Sequence, residues 1–359
     1  MIESNDEVEY SSHPFSRIRN GLPRKALRPA MNLYSPLVGC LVTLMLIAAI
    51  LFSKIGAKIA DIPNERSLHS TAVPRIGGIG LMAGAAAGWL LLDTPAWWIL
   101  LPLLILFCIS LLDDMGGLPV KWRFLAHFIA ATLMVAGSGI YAQQGIFATL
   151  LLLLFTVWMT NLYNFMDGSD GLAGGMALFG FGCYGMAAWL SGNEGFALLN
   201  FCIAGAALGF LAFNFHPAKV FMGDAGSIPL GFLAATLGIH GWQSGFWPLW
   251  FPLMVFSPFI VDATFTLFKR MMRGEKLSQA HRSHYYQRLV QMGWGHRNTA
   301  LAEYALMALM GAGALSVLAL PASGQYAMIL LAAALYLAIT AKIDRLWHKH
   351  RSGSGGTHA

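Results

Sequence analysis

The chain has 359 residues, of which 57% are hydrophobic and only 11% are charged. An ordinary soluble domain carries about 25% charged residues, so a single soluble core does not explain this composition, whereas many membrane-spanning helices do. The formal net charge of +6 does not indicate nucleic-acid binding, because the basic residues lie in loops between apolar runs. All four cysteines lie inside apolar runs and form no CxxC pair, which argues against a disulfide framework or a zinc site.

Eleven apolar runs are candidate transmembrane helices, since a span needs roughly 20 apolar residues and flanking residues or tilt can complete a shorter run. In chain order they are residues 36–52, 76–92, 96–112, 124–140, 147–162, 172–190, 196–213, 228–242, 246–267, 300–318 and 326–340. We therefore predict an all-α, polytopic membrane protein with about 11 transmembrane helices. Residues 1–35 are predicted to be a disordered segment, 36–342 the membrane domain and 343–359 a flexible cytoplasmic tail.

The basic residues predict the orientation. Eighteen of the 23 Lys and Arg residues lie in the C-terminal tail or in loops that follow odd-numbered spans, and the alternate loops hold none. The positive-inside rule therefore places the odd loops in the cytoplasm. The other five basic residues precede the first span, where this parity puts them outside, against the rule. Met31 lies just before the first apolar run, so we expect the segment that precedes Met31 to be dispensable.

Three acidic clusters interrupt the apolar runs, and each follows an odd-numbered span. They are Asp113 and Asp114 in LLDDMGG, Asp167 and Asp170 in NLYNFMDGSDGLAGG, and Asp224 in KVFMGDAGS. Carboxylates beside a bilayer are costly and indicate function. Five of them converging at one face could hold a divalent cation and a phosphorylated substrate. Each cluster alone also fits a structural role: a solvated helix end, a glycine-rich turn and an N-cap aspartate, respectively.

The clusters differ in the chemistry that they predict. In the adjacent pair, one carboxyl group could take a proton, or a cation could hold both. Asp167 and Asp170 would share a helix face if that segment were helical. Asp224, at the predicted start of a helix, is a hard oxygen ligand suited to Mg²⁺. Phe221 could stack on a nucleobase.

Basic side chains in the predicted cytoplasmic loops are candidates for binding phosphate. Lys121 and Arg123 follow the aspartate pair, and Arg75 lies just before two consecutive glycines at the start of the second span. The loop after the ninth span holds Arg282 and His284, and could bind phosphate or contact anionic lipid. Asp262, near the end of the ninth span, is either functional or a structural ion-pair partner.

The stretches VPRIGG, LLDDMGG, NLYNFMDGSDGLAGG and KVFMGDAGS, in this order, resemble the polyprenyl-phosphate N-acetylhexosamine-1-phosphate transferase superfamily over about residues 36–340. The string HRSHYYQRL is similar to the branch that initiates O-antigen and capsule with N-acetylfucosamine or N-acetylquinovosamine phosphates. It departs from the histidine motifs of the common-antigen and peptidoglycan branches, which disfavours a pentapeptide-bearing substrate.

The resemblance implies roles residue by residue. Asp113 and Asp114 match the paired catalytic aspartates, Lys121 the lysine that follows them, and His284 the one histidine kept in the loop motif. Asp224 matches the magnesium ligand. The nucleotide-side residues that it implies are Asn164, Asp167, Asp170, Asn214 in a uridine pocket and Phe221 as the uracil-stacking ring; Arg75 and Arg282 join them as candidate substrate-binding residues.

The resemblance also implies the reaction and its partners. An N-acetylhexosamine-1-phosphate would pass from a UDP-sugar to undecaprenyl phosphate with release of UMP. The cofactor would be Mg²⁺, with Mn²⁺ as an alternative, and the site would be the bacterial inner membrane. A homodimer is one option for assembly. Direct attack and a covalent aspartyl intermediate both remain open.

Three alternatives to this reading remain. One is an initiator specific for UDP-GlcNAc that starts another cell-envelope polymer. A transporter would carry its charged sites near the membrane midplane, often on inverted repeats, whereas these acids cluster at one face and no repeat is visible. A lipid diphosphate phosphatase would share the metal site and use water as its nucleophile.

Overall fold

Helices make up most of the part of the chain that the computed structural model describes, which is residues 33–53, 60–61, 72–276, 279 and 281–354. The all-α prediction is confirmed. The α-helices in this part are α1 Ser35–Phe52, α2 Gly77–Trp89, α3 Trp97–Gly116, α4 Val120–Ser138, α5 Ile140–Phe165, α6 Leu172–Leu190, α7 Glu194–Asn214, α8 Asp224–Gln243, α9 Trp250–Val255, α10 Ser257–Met272, α11 Tyr285–Leu289, α12 Gly295–Val317 and α13 Ala322–Ser354. A π-helical turn, Val290–Trp294, joins α11 to α12.

Two short strands accompany these helices. Strand β1, Ala60–Asp61, pairs antiparallel with β2, Val73–Pro74, so that Ala60 lies opposite Pro74. Their pairing ties the loop after α1 to the segment that leads into α2.

Each predicted span coincides with a helix. Eight helical stretches are long and apolar enough to cross a membrane: α1, α3, α4, α5, α6, α7, Tyr285–Val317 and α13. The other three predicted spans fall on α2, on α8, and on α9 with α10. Helix α2 has 13 residues and is about 20 Å long, which is shorter than the roughly 30 Å hydrocarbon core of a bilayer. The number of eleven spans stays a prediction.

Two helices extend well beyond the apolar runs that predicted them. Helix α5 begins at Ile140 and contains a kink at Gly145, where φ is 74° and ψ is 177°. Helix α13 continues to Ser354, through most of the segment that was expected to be a flexible tail. Hydropathy detects only the apolar part of a helix, so its polar ends are not predicted from the apolar run. The predicted disordered segment lies outside the described residues except for its last three positions.

Helix α8 lies at the centre of the fold, packed against α2, α3 and α5. Most of its residues are buried, including all of those from Ala225 to Ile239. Helix α2 approaches α8 closely, because a Cβ atom on Gly78 would lie 2.3 Å from the amide nitrogen of Gly226. The Gly78 amide also donates to the carbonyl of Met222 at 2.8 Å. Glycine at this contact therefore fixes where α8 begins.

The helices alternate in direction, so their ends form two faces. Helices α3, α5 and α7 end, and α4, α6 and α8 begin, at the face that carries the acidic clusters; we call it the carboxylate face. The turns 90–96, 191–193 and 244–249 lie at the opposite face. The sequence-based prediction that the three clusters share a face agrees with this arrangement of helix ends.

We expect Gly78→Ala to destabilise the protein by about 1–3 kcal/mol, because its methyl group would overpack the α2–α8 contact. The matched control is Gly182→Ala in α6, where an added Cβ would meet no atom within 4 Å. Alanine is the better helix former by about 0.8–1.0 kcal/mol, so the control should keep or raise stability. Thermal unfolding in detergent compares the two variants. Equal melting temperatures would contradict the proposed close contact.

Candidate active site

Asp114, near the end of α3, binds the N-terminus of α8. Its Oδ1 accepts the amide N–H of Asp224 at 3.1 Å, and its Oδ2 accepts that of Ala225 at 2.9 Å. A helix N-terminus carries unsatisfied N–H groups and a partial positive charge, both of which favour a carboxylate there. Gly223 has φ 71°, and a Cβ there would lie 2.7 Å from Asp114 Oδ2. Asp114 is thus a helix cap supplied by another helix.

Arg123, in the first turn of α4, bridges the other two carboxylates. Its Nη1 lies 3.1 Å from Asp113 Oδ2, and its Nη2 lies 2.7 Å from Asp224 Oδ2. Arg75 approaches from the start of α2, with Nη1 3.9 Å from Asp114 Oδ1. Asp113 also accepts the amide N–H of Leu118. Three carboxylates and two guanidinium groups therefore meet at the carboxylate face.

Asn164, at the end of α5, completes this group. In the amide orientation that satisfies its neighbours, its nitrogen donates to Asp224 Oδ1 at 3.2 Å and to Ser227 Oγ at 3.1 Å. Its oxygen accepts from Arg123 Nη2 at 2.9 Å. Helices α3, α4, α5 and α8 thus each contribute a polar side chain to one site.

The donor set of this site fits a hard cation that keeps part of its hydration shell. Among the described residues, no three His, Cys, Asp or Glu side chains are arranged to hold a metal ion by themselves. Mg²⁺ needs no such cage, because it is usually bound by one or two carboxylates, waters and substrate phosphates. Asp113 and Asp224 offer oxygens beside the amide oxygen of Asn164, and the three carboxylates interact electrostatically. These oxygen donors are the kind that Mg²⁺ prefers.

Asp167 and Asp170 do not share a helix face, because α5 ends before them and α6 begins after them. Asp170 is buried, and its Oδ2 lies 2.6 Å from His216 Nδ1 and accepts the amide N–H of Ala218 at 3.2 Å. Asp167 is half-buried in the turn, with its amide bonded to the carbonyl of Asn164 at 3.2 Å. The two acids therefore have separate surroundings.

A pair of histidines adjoins Asp170, although sequence reasoning did not assign them to its site. The rings of His216 and His296 stack with centroids 5.7 Å apart and planes 12° apart. Ser169 Oγ lies 2.8 Å from His296 Nδ1. The two histidines lie 80 positions apart in the chain, so no local pattern connects them.

Asn214 and Phe221 lie on the same side of the site as Asp170. The buried Asn214 side chain accepts the amide N–H of Gly171 at 2.9 Å and donates to the Val220 carbonyl at 2.9 Å. Its hydrogen bonds join the turn that holds Asp170 to the segment that holds Phe221. The Phe221 amide donates to the Pro74 carbonyl at 2.8 Å, and the side chain stays half-buried. Asn214 thus positions the predicted uridine pocket from within the fold.

Lys121, predicted as catalytic, does not lie with the carboxylates. It is exposed, and its Nζ lies 5.5 Å from the ring centroid of Trp122. Residues advance by about 100° each around an α-helix, so side chains two apart point in nearly opposite directions. Arg123 faces inward with His127 one turn later, whose Nδ1 lies 3.1 Å from the Asn161 amide nitrogen. This helical spacing was the signal that could have favoured Arg123.

His284 lies at the N-terminus of α11, which is the second helix start that a carboxylate from another helix caps. Its Nδ1 is 3.1 Å from Oδ1 of Asp262 in α10. The same carboxylate accepts the amide N–H groups of Tyr285 and Tyr286, each at 2.9 Å. The predicted catalytic histidine is therefore buried and held by α10.

The loop before α11 carries the other candidates of this region. Arg282 is half-buried, and its Nε is buried without a hydrogen-bond partner among the described residues. Burial, together with the neighbouring His284, lowers the pKa of His281 to about 4, so its ring is neutral at pH 7. The Nδ1 atom of the neutral His281 ring can then accept a hydrogen bond from the Ser283 hydroxyl group, 2.8 Å away.

Comparison with known proteins identifies the family of the chain. Residues 96–241 match the family model described as glycosyl transferase family 4; this range runs from the start of α3 almost to the end of α8 and includes all three acidic clusters. A probable undecaprenyl-phosphate N-acetylglucosaminyl 1-phosphate transferase of Bacillus subtilis is 31% identical over 269 residues, which cover 70% of this chain and 74% of the relative.

Two further relatives cover similar shares. A decaprenyl-phosphate N-acetylglucosaminephosphotransferase of Mycobacterium tuberculosis is 30% identical over 74% of this chain and 77% of its own. An undecaprenyl-phosphate alpha-N-acetylglucosaminyl 1-phosphate transferase of Yersinia pestis is 28% identical over 79% and 84%, respectively. The chain belongs to glycosyl transferase family 4, among the polyprenyl-phosphate N-acetylhexosamine-1-phosphate transferases.

Proposed function

We propose that this protein transfers an N-acetylhexosamine-1-phosphate from a UDP-sugar to undecaprenyl phosphate and releases UMP, at the cytoplasmic face of a bacterial inner membrane. The observation that carries the proposal is the meeting of Asp113, Asp224 and Arg123 at the carboxylate face. The names of the relatives, which state polyprenyl-phosphate acceptors and N-acetylglucosamine, support this class of reaction. The product would initiate O-antigen or a related surface polysaccharide.

The chemistry is a single phosphoryl transfer. An oxygen of the lipid phosphate attacks the donor phosphorus that bears the sugar, and the bond from that phosphorus to the UMP oxygen breaks with its electron pair going to UMP. Asp113 takes the proton of the lipid phosphate, because its Oδ2 faces the Arg123 guanidinium group that also contacts Asp224, whereas both oxygens of Asp114 hold the start of α8 in place. Catalysis then rests on positioning and on stabilising charge.

The remaining residues hold the two anions in place. Arg123 and Arg75 offset the charge of the approaching phosphates. Asp224, with Asn164 beside it, would hold Mg²⁺, which when bound offsets the charge on the diphosphate oxygens. On the nucleotide side, Phe221 would stack on uracil, with Asp167 and Asp170 beside it, while His284 and Arg282 would face the sugar.

The test uses the purified full chain with undecaprenyl phosphate and a panel of UDP-linked amino sugars, and measures UMP. We expect UMP only when a UDP-N-acetylhexosamine and the lipid phosphate are both present, in equal amount to the lipid-linked sugar phosphate. A transporter would release no UMP, and a lipid diphosphate phosphatase would release inorganic phosphate without a nucleotide. Stoichiometric UMP without lipid, with label retained on the protein, would indicate a covalent intermediate and contradict direct attack.

The adjacent aspartates should differ when each is changed to asparagine. Asp113→Asn should lower kcat by about 10²–10⁴-fold with a small effect on KM for the UDP-sugar, because it removes a general base. Asp114→Asn should in addition destabilise the protein by about 1–3 kcal/mol, because an amide group would face an N–H of α8. Steady-state kinetics and thermal unfolding compare them. Equal loss of stability in both variants would contradict the separate roles.

Arg123→Gln and Lys121→Gln form a matched pair on α4. Arg123→Gln should lower kcat by about 10²–10³-fold, because it removes a preorganised positive charge between two carboxylates. Lys121→Gln should change activity by no more than a few-fold, since its exposed ammonium group is screened by water. The same kinetic assay measures both. A larger effect at Lys121 would place that lysine, and not Arg123, at the reacting phosphates.

Asp224→Asn should lower turnover by about 10³-fold or more at every practical Mg²⁺ concentration, because a ligand to a catalytic cation costs several kcal/mol of barrier when lost. The amount of folded protein should stay unchanged, since the asparagine keeps the size of the side chain. A Mg²⁺ titration of initial rates measures the effect. Substantial activity at ordinary Mg²⁺ would assign the cation to Asp167 and Asp170 instead.

A further inference from the structure

Asp170 and His216 form a pair in which the histidine, and not the carboxylate, is accessible to a ligand. The Asp170 side chain is only 9% exposed, whereas the His216 side chain is 39% exposed. Asp170 Oδ2 is already bonded to His216 Nδ1 at 2.6 Å and to the amide N–H of Ala218 at 3.2 Å. Asp170 is therefore better placed to orient the imidazole ring than to contact a ligand itself.

The contact with Asp170 distinguishes the two ring nitrogens of His216. Nδ1 donates to the carboxylate, because an ionised carboxylate can only accept. Nε2 is then the nitrogen that can bind another group, and it has no hydrogen-bond partner among the residues that the structure describes. Such a nitrogen accepts a hydrogen bond in the neutral ring and donates one in the imidazolium ion.

The His216 ring is also held by a second histidine. It stacks on the His296 ring, with centroids 5.7 Å apart and planes 12° apart. The His296 side chain is only 14% exposed, and its Nδ1 lies 2.8 Å from Ser169 Oγ. The carboxylate of Asp170 and the ring of His296 thus fix the orientation of His216 before a ligand arrives, which lowers the entropy cost of binding.

The segment that carries His216 leads directly to the proposed uracil-stacking ring. Asn214 bonds the Gly171 amide and the Val220 carbonyl, each at 2.9 Å, so it holds both ends of residues 215–220 near the turn that contains Asp170. Phe221 follows this segment in the chain. The same hydrogen bonds therefore place the His216 ring and Phe221 on one side of the site.

We propose that His216 Nε2 forms a hydrogen bond with the uridine part of the nucleotide donor, and that Asp170 positions the imidazole ring for this contact. The inference rests on the proposed function, because it takes a UDP-sugar as the ligand. Uridine offers partners of both kinds, since its N3–H and ribose hydroxyl groups can donate and its carbonyl oxygens can accept. If His216 only held the turn together, its Nδ1 contact with Asp170 would be its whole role.

Glutamine and asparagine separate the roles of the two ring nitrogens. The amide nitrogen of glutamine reaches about as far along the side chain as Nε2 of histidine, and that of asparagine about as far as Nδ1. The purified full chain and each variant are titrated with UMP by isothermal titration calorimetry. We expect His216→Ala and His216→Asn to weaken UMP binding by about tenfold, and His216→Gln to bind within about threefold of the wild type.

Steady-state kinetics give a second measurement of the same contact. His216→Asn should raise KM for the UDP-sugar by about tenfold and change kcat by less than about twofold, since it removes binding that the ground state and the transition state share. Its melting temperature in detergent should stay near that of the wild type, because asparagine can keep the hydrogen bond to Asp170. Unchanged UMP binding in His216→Asn, with or without a loss in His216→Gln, would overturn the proposal.

A double-mutant cycle tests the role of Asp170. Asp170→Asn should weaken UMP binding severalfold in the wild-type background, because it weakens the hydrogen bond that orients His216. It should add no further loss to His216→Ala, in which the ring is absent. Additive losses would show that Asp170 contacts the nucleotide itself, and would overturn its role as a positioning residue.

The wild type separates this inference from the proposed function. A wild-type chain that binds no UMP and releases none from any UDP-sugar would contradict both. Binding of UMP and lipid-dependent release of UMP by the wild type, with both properties unaltered in His216→Asn, would contradict the role of His216 alone.

Discussion

Carboxylates that bind the amide groups at helix starts hold the carboxylate face together. Asp114 of α3 accepts two amides of α8, and Asp262 of α10 accepts two amides at the start of α11. An unsatisfied N–H group in a low-dielectric interior is costly, and a carboxylate satisfies two at once. Each contact also ties a long helix to the start of another. The position of Asp224 thus depends on Asp114, and that of His284 on Asp262.

Because of this constraint, residues that are adjacent in one sequence motif have different roles in the structure. Asp113 and Asp114 are neighbours in the chain, yet one faces Arg123 and the other the α8 amides. The same division of roles recurs in the proposed nucleotide pocket, where Asn214 binds backbone groups and Phe221 keeps a half-buried ring. The proposed chemistry therefore uses a few groups at the surface of a larger polar framework.

The sequence was sufficient for the features that follow from local pattern. The apolar runs predicted the helices, and their parity placed the acidic clusters together at one face. The sequence could not identify contacts between distant segments. Examples are the contact of His216 with Asp170 at 2.6 Å and that of Arg288 with Asp344 at 2.8 Å. The latter contact joins α11 to the part of α13 that lies beyond its apolar run. The family resemblance assigns a role to Lys121 from its place after the aspartate pair, whereas the structure shows Arg123, and not Lys121, in contact with the carboxylates.

We propose that Asp224 and its neighbours hold a divalent cation in a site separate from Asp170. Electron paramagnetic resonance of Mn²⁺, titrated into the purified full chain without substrates, tests it most directly. We expect one bound Mn²⁺ per chain in the wild type, its loss in Asp224→Asn and its retention in Asp170→Asn, because the Asp170 carboxylate contacts His216 and not Asp224. Bound Mn²⁺ that survives Asp224→Asn but disappears in Asp170→Asn would contradict it.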